Sequence, residues 1–126
     1  MTDIGDHFRE LQLLISGLTG VEVEKYEEHL LTESRGNLRI RLRFSDDSLL
    51  ETSEAIQIIN NNSQRISYRY HYQSCTGNLI FRYDDAPHHP EINTYPHHKH
   101  IFDKILDSPQ PDIKAVIREV NEHLMK

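Results

Sequence analysis

Two hydrophobic periods divide the chain. Phe8, Leu11, Ile15 and Leu18 recur at helical spacing, and Asp3 and Asp6 lie where a helix dipole favours negative charge, so residues 3–18 are predicted as an amphipathic helix. Gly17 and Gly20 mark its exit. The period then switches to two. Leu38, Ile40, Leu42 and Phe44 alternate with Arg39, Arg41 and Arg43, and Ile66, Tyr68, Tyr70 and Tyr72 alternate with Ser67, Arg69, His71 and Gln73. Residues 21–33, 49–59 and 79–84 supply three further strands, separated by turns such as Ser34-Arg35-Gly36-Asn37 and Thr76-Gly77-Asn78. Connections this short favour an antiparallel meander, because parallel pairing needs long crossovers. After Pro87 the alternation stops, and residues 85–100, with Pro87, Pro90 and Pro96, read as a loop. Ile113, Val116, Ile117, Val120 and Leu124 restore the helical period, with Pro111 and Asp112 suited to its first turn. The expectation is a single α+β domain over residues 1–126. An antiparallel meander of about five strands is flanked on one face by the N-terminal and C-terminal helices, and the other face is left to arginine and histidine.

Charge refines that picture. Fourteen Lys and Arg against twenty Asp and Glu leave a net charge of −6, which argues against a uniformly basic nucleic-acid coat but not against a local basic site. Nine histidines make the charge pH-sensitive: protonating all of them would move it from −6 to +3. Apolar runs reach only three residues, as in Leu79-Ile80-Phe81, against the roughly 18 needed to span a bilayer, so no membrane association is expected. No secretory signal pattern opens the sequence, and Cys75 is a lone cysteine; both fit a cytoplasmic protein.

The chemistry concentrates in Arg82-Tyr83-Asp84-Asp85-Ala86-Pro87-His88-His89-Pro90 and Pro96-His97-His98-Lys99-His100. Five of the nine histidines fall within residues 88–100, where even spacing would place about one. These strings, after Tyr68-Arg69-Tyr70-His71-Tyr72 on the preceding strand, resemble the TumE family of toxin components from prokaryotic toxin-antitoxin modules. The resemblance covers roughly residues 65–100. It implies a small cytoplasmic protein encoded beside an antitoxin, often a helix-turn-helix protein, with RNA cleavage as the expected activity.

Read from the residues alone, the segment has the components of RNA scission. Metal-independent cleavage needs a base for the 2′-OH proton, an acid for the leaving 5′-oxygen, and cations around the crowded phosphorus. His71, His88, His89, His97, His98 and His100 are candidates for proton transfer. Arg69, Arg82 and Lys99 are candidates for phosphate contact, and Asp84 and Asp85 could orient an imidazole. Pairing the strands about the 74–78 turn would bring Arg69, His71, Arg82 and Asp84 together, and the histidine loop could fold back over the same face.

A divalent transition metal such as zinc is the alternative. Its ligands would come from Asp84, His88, His89, His98 and His100, with Asp85 and His97 as further donors, although the spacing matches no standard zinc pattern. His97 and His100 would meet on a helix, His98 and His100 on a strand, and the sequence leaves that choice open. Tyr68, Tyr70, Tyr72 and Tyr83 are expected in the core rather than stacked on bases. The Arg39, Arg41 and Arg43 stripe suits either phosphates or a ladder to Glu22, Glu24, Glu27 and Glu28. His7, His29 and His123 are expected to be surface or structural. Three functions follow: a toxin-type endoribonuclease using histidine acid/base catalysis, a metal-dependent phosphodiester or nucleotide hydrolase, and a non-enzymatic module that docks a protein partner. A homodimer paired through an edge strand is a further expectation.

Overall fold

A computed structural model describes residues 3–126 as α1 (Ile4–Ser16), β1 (Val21–Thr32), β2 (Arg35–Phe44), β3 (Leu49–Ile59), β4 (Asn62–Gln73), β5 (Leu79–Asp84), β6 (His98–Ile101), β7 (Lys104–Asp107) and α2 (Ile113–Leu124). The strands form one antiparallel sheet in the order β1 to β7, each paired with its sequence neighbour. The meander and the α+β class agree with the sequence, but the strand count is seven rather than about five. The two additional strands come from residues 98–107. Each has four residues, so each repeats a side-chain direction only once, too little for alternation to register.

Both helices pack on one face of the sheet. Ile4, Phe8, Leu11 and Ile15 of α1 and Ile113, Val116, Ile117 and Val120 of α2 close over Leu38, Ile40, Leu42, Leu50, Ile56, Tyr70, Tyr72 and Phe81. Each large side chain buried there contributes on the order of 1.5–3 kcal/mol. Asp3 caps α1 by accepting from Asp6 N while the Asp6 carboxylate accepts from Asp3 N, and Asp112 caps α2 by accepting from Ala115 N. Gly36 lets α1 approach β2: a Cβ there would lie 3.0 Å from Phe8 Cζ and 3.1 Å from Ile4 Cγ2.

The tyrosines lie on the helix face, as expected, with their hydroxyls satisfied. Tyr72 donates to Ser48 Oγ at 2.7 Å, Tyr83 donates to Glu119, and Tyr70 donates to the buried Glu54 while accepting from Arg65. Ile66 is the exception to the expected alternation. A bulge opposite Ala55 and Ile56 makes it an extra residue of β4, so it is 38% exposed and Arg65 takes the inward place, over the Tyr68 ring. Asn60 and Asn61, both at positive φ, form the two-residue turn between β3 and β4, the geometry that matches strand twist. Among the described residues, no helix is long and apolar enough to cross a membrane.

Candidate functional site

The face without helices carries two cross-strand rows. From β1 to β6, one runs Lys25, Arg41, Glu51, His71, Arg82, His100, and its neighbour runs Glu27, Arg39, Ser53, Arg69, Asp84, His98. The β4–β5 turn sets the right-hand part of this register. Ser74 N donates to Asn78 O at 2.9 Å, and Gly77 takes the positive φ that the turn requires. Arg69 then pairs with Asp84 and His71 with Arg82, as the sequence suggested. Residues 85–97 leave β5, double back and return as β6, which places Arg82 opposite His100 and Asp84 opposite His98. The strand alternative for residues 98–100 therefore holds. His98 and His100 share the open face, and Lys99 projects to the other.

Asp84 organises the cluster from a buried position. Its Oδ1 lies 2.9 Å from His98 Nε2 and accepts from Ala86 N at 3.1 Å. Its Oδ2 accepts from Arg82 Nε at 3.2 Å and lies 3.6 Å from His100 Nε2. His98, 2% exposed, directs its other ring nitrogen at Pro96 O, 2.8 Å away. Both nitrogens of His98 thus face oxygen atoms, which locks the ring in place. His89 completes a triangle of rings: 5.2 Å from His98 and 6.0 Å from His100, with His98 and His100 4.8 Å apart. One nitrogen from each of the three lies within 4.8 Å of the others, so this trio, with Asp84 beside it, is where a metal ion could be held.

Burial, the Arg82 guanidinium and the neighbouring His98 and His89 outweigh the pull of Asp84, and His100 is held below the ordinary imidazole pKa. Its ring is neutral near pH 7 and can accept a proton. An open depression of about 370 Å³ above these groups is lined by Arg69, Arg82, Asp84, Asp85, His88, His89, His98 and His100, with Ser67, Tyr68 and Ala86. Asp85 anchors the strand rather than a ring, since its Oδ1 accepts from Tyr68 N at 3.2 Å. Next to it lies a second depression of about 440 Å³ that shares Arg69 and is lined by His71, Arg39, Arg41 and Glu51. His71 Nε2 meets Gln73 Oε1 at 2.9 Å, and its buried Nδ1 has no hydrogen-bond partner among the described residues.

Two expected site residues are elsewhere. Lys99 lies on the helix face, 2.6 Å from Glu119 and over the rings of Phe81 and Tyr83, because strand alternation turns it away from both flanking histidines. His97, just before β6, stacks on Tyr68 with ring centroids 5.8 Å apart, and its Nδ1 lies 3.0 Å from the Tyr68 hydroxyl. The arginine stripe divides. Glu24, the extra residue in a bulge of β1, holds Arg41 and Arg43 at 3.0 Å each, whereas Arg39 and Arg69 carry no ion pair among the described residues. Arg39 and Arg69 flank Ser53 in the register, a proximity that the sequence does not signal because it depends on how three strands align. The Pro96 carbonyl that orients His98 was equally invisible, being backbone.

Of the histidines outside the cluster, His29 is exposed and His123 packs edge-on against Tyr72. His7 lines a larger cavity, about 1070 Å³, on the helix face with Glu54 and Arg65. That cavity holds none of the clustered histidines, so the smaller open depression is the better candidate for chemistry.

Comparison with known proteins adds an independent finding. No curated protein and no solved structure matches the chain. The family model described as Toxin TumE matches residues 11–124, nearly the whole chain, and the protein therefore belongs to the TumE toxin family, the toxin side of a toxin-antitoxin module whose partner is a cognate antitoxin.

Proposed function

We propose that this toxin is an endoribonuclease that cuts single-stranded or translated RNA by histidine acid/base catalysis on the open face of the sheet. One observation carries the reading: a neutral His100, a second accessible histidine, His89, and the guanidinium of Arg82 converge on one depression with Arg69, which has no ion pair among the described residues.

His100 takes the proton of a ribose 2′-OH, and the freed oxygen attacks the adjacent phosphorus. Arg82 and Arg69 stabilise the charge that accumulates on the phosphoryl oxygens. Protonated His89 gives its proton to the leaving 5′-oxygen, so the products are a 2′,3′-cyclic phosphate and a free 5′-hydroxyl. Water then returns the two rings to their starting states. His98 is too buried to touch substrate. It acts as a positioning residue, locked between Asp84 and Pro96 O. The adjoining depression, with Arg39 and Arg69, receives the phosphates of the flanking nucleotides.

The test is cleavage of end-labelled RNA between about pH 5.5 and 8, a range that brackets imidazole titration. A 2′-deoxy substitution at the cut site should abolish scission there, and His100→Ala or His89→Ala should lower kcat by about 10²–10⁴. Intact RNA throughout that range, together with variants as toxic on induction as the parent, would overturn the assignment.

A further inference from the structure

We propose that the same cluster is a binding site for one divalent transition ion of the zinc type, held by His98 Nε2, His100 Nε2, a ring nitrogen of His89 and the Asp84 carboxylate, and that the bound ion switches scission off. The switching part rests on the function proposed above, whereas the ion site stands on geometry alone.

Four features of the cluster are those of a ligand set. One ring nitrogen from each of the three histidines already lies within 4.8 Å of the other two. Around a tetrahedral ion with bonds of about 2.0–2.1 Å, donors sit about 3.4 Å apart, so the widest pair needs a contraction of about 1.4 Å, within the reach of rotating imidazoles. His98 and His100 alternate on one short strand, so their backbone positions are preset by β6 pairing. The fourth donor is also present: Asp84 oxygens stand 2.9 Å from His98 Nε2 and 3.6 Å from His100 Nε2. His98 is oriented as ligating histidines are, with Nδ1 against a backbone carbonyl and only Nε2 directed into the cluster.

The donor chemistry selects the ion. Three imidazoles and one carboxylate suit zinc, cobalt or nickel and are unsuited to magnesium or calcium, which take oxygen ligands. Arg82 bonds the outer oxygen of Asp84 and brings positive charge close to the ion, which weakens binding. His89, with about a quarter of its side chain exposed, forms the open side. A site with these features holds an exchangeable ion rather than a permanent structural one.

A ring nitrogen whose lone pair is given to a metal can accept no proton. Ligation therefore removes His100 as base and His89 as acid together and takes Asp84 as well, so loaded protein is unable to run the proton relay.

The experiment uses tag-free full-length protein stripped with chelator and titrated with cobalt(II) alone, read by its visible absorption, and with zinc by calorimetry. The expected result is one ion per chain, with affinity reduced at least about tenfold in His100→Gln and in His89→Gln and unchanged in His123→Gln. Circular dichroism confirms that each variant is folded. His98→Gln is avoided because so buried a ring is also structural. Absence of stoichiometric binding, or binding untouched by both cluster variants, overturns the ion site. RNA cleavage measured on the same samples separates the two proposals. Cleavage by stripped protein that falls as zinc occupancy rises supports both. Cleavage without any ion binding removes this inference and leaves the function standing. Binding with no cleavage in either state removes the function, and the switch with it, while the ion site survives. Cleavage that requires the ion overturns both the switch and the metal-free proton relay.

Discussion

Replacing Asp84 with Asn changes one oxygen to an amide nitrogen and removes a charge, and the structure predicts what each loss does. Four donors or ring nitrogens converge on that carboxylate: His98 Nε2, Ala86 N, Arg82 Nε and His100 Nε2. An amide can present its oxygen to one side only. With the oxygen kept toward His98 and Ala86, the new NH₂ confronts Arg82 Nε, donor against donor. In the flipped orientation it confronts Ala86 N instead. At least one charge-assisted hydrogen bond is therefore lost and one donor is left facing another. Each such bond is worth about 1.5–3 kcal/mol, and because Arg82 is partly exposed and recovers water, the expected loss is about 2–4 kcal/mol. With a melting entropy of about 2.1 cal/mol/K per residue over 126 residues, that corresponds to a Tm lower by about 8–15 °C.

The same substitution moves a titration. Asp84 is the group that opposes burial, Arg82, His98 and His89 in setting the His100 pKa, so without it His100 should titrate at still lower pH. Thermal denaturation followed by circular dichroism measures the first effect, and the His100 ring C–H resonances followed by NMR against pH measure the second. Asp85→Asn is the control. It disturbs only the bond from Tyr68 N, so it should cost about 1 kcal/mol and leave the His100 titration in place. A Tm drop of less than about 3 °C for Asp84→Asn, or a His100 titration that stays or rises, would refute the view of Asp84 as the centre of the cluster.

Three further outcomes can be checked. Gly36→Ala puts a methyl 3.0 Å from Phe8 Cζ and 3.1 Å from both Ile4 Cγ2 and His29 O, and should lower the urea-unfolding free energy by about 1–3 kcal/mol. His7 and His100 both have depressed pKa values in the folded protein, burial being the first cause in each, so their contribution to stability is present above the unfolded value of about 6.5 and is lost as pH falls through the folded values. The urea midpoint should therefore fall between about pH 7.5 and 5.5, above the carboxylate range, and a flat or rising midpoint would contradict the assignment. Lys99→Met breaks the partly buried pair with Glu119 and should cost about 1–3 kcal/mol by thermal denaturation, yet leave the salt dependence of RNA binding unchanged; Arg69→Ala should reduce that log–log slope by about 0.7.

The sequence revealed the elements whose side chains repeat a direction often enough. Leu38, Ile40, Leu42 and Phe44 alternate with three arginines, and that pattern persists because β2 is covered on one face and open on the other. Tyr70 and Tyr72 were legible as core for the same reason. What was lost depends on fewer residues or on contacts distant in sequence. β6 contains His98 and His100 as its only same-face pair on the open side, so nothing local distinguished strand from helix, and Lys99 was grouped with histidines that a strand sets it against. Alternation puts Ile66 on the face of Tyr68, Tyr70 and Tyr72, and the structure departs from this because a bulge displaces the register without altering the local pattern. The convergence of His89, His98, His100 and Asp84 was legible only as composition. A crowd of imidazoles says that something polar is built, whereas which rings meet is decided by the path of residues 85–97.

On the proposed function, an acidic chain has to separate its charges to hold RNA, and the open face of the sheet has a layout that suits this. Most acids of the open face are committed to particular neighbours: Glu24 to Arg41 and Arg43, Glu27 to Lys25 and His29, and Asp84 to Arg82 and His98, while Glu51 carries no ion pair among the described residues. Neutralising those pairs locally leaves Arg39 and Arg69, two strands apart on the same row, as the cations without an ion pair among the described residues of that row. Strands are about 4.8 Å apart, so the two guanidinium groups arise from backbone positions about 10 Å from each other on one face. On the proposed function, two contacts give a shallow salt dependence and weak, sequence-indifferent affinity. A site of that kind does not extract one RNA from a mixture, so on that reading selection comes from where the substrate is presented to it, and the scission chemistry, rather than binding strength, sets the damage done per encounter.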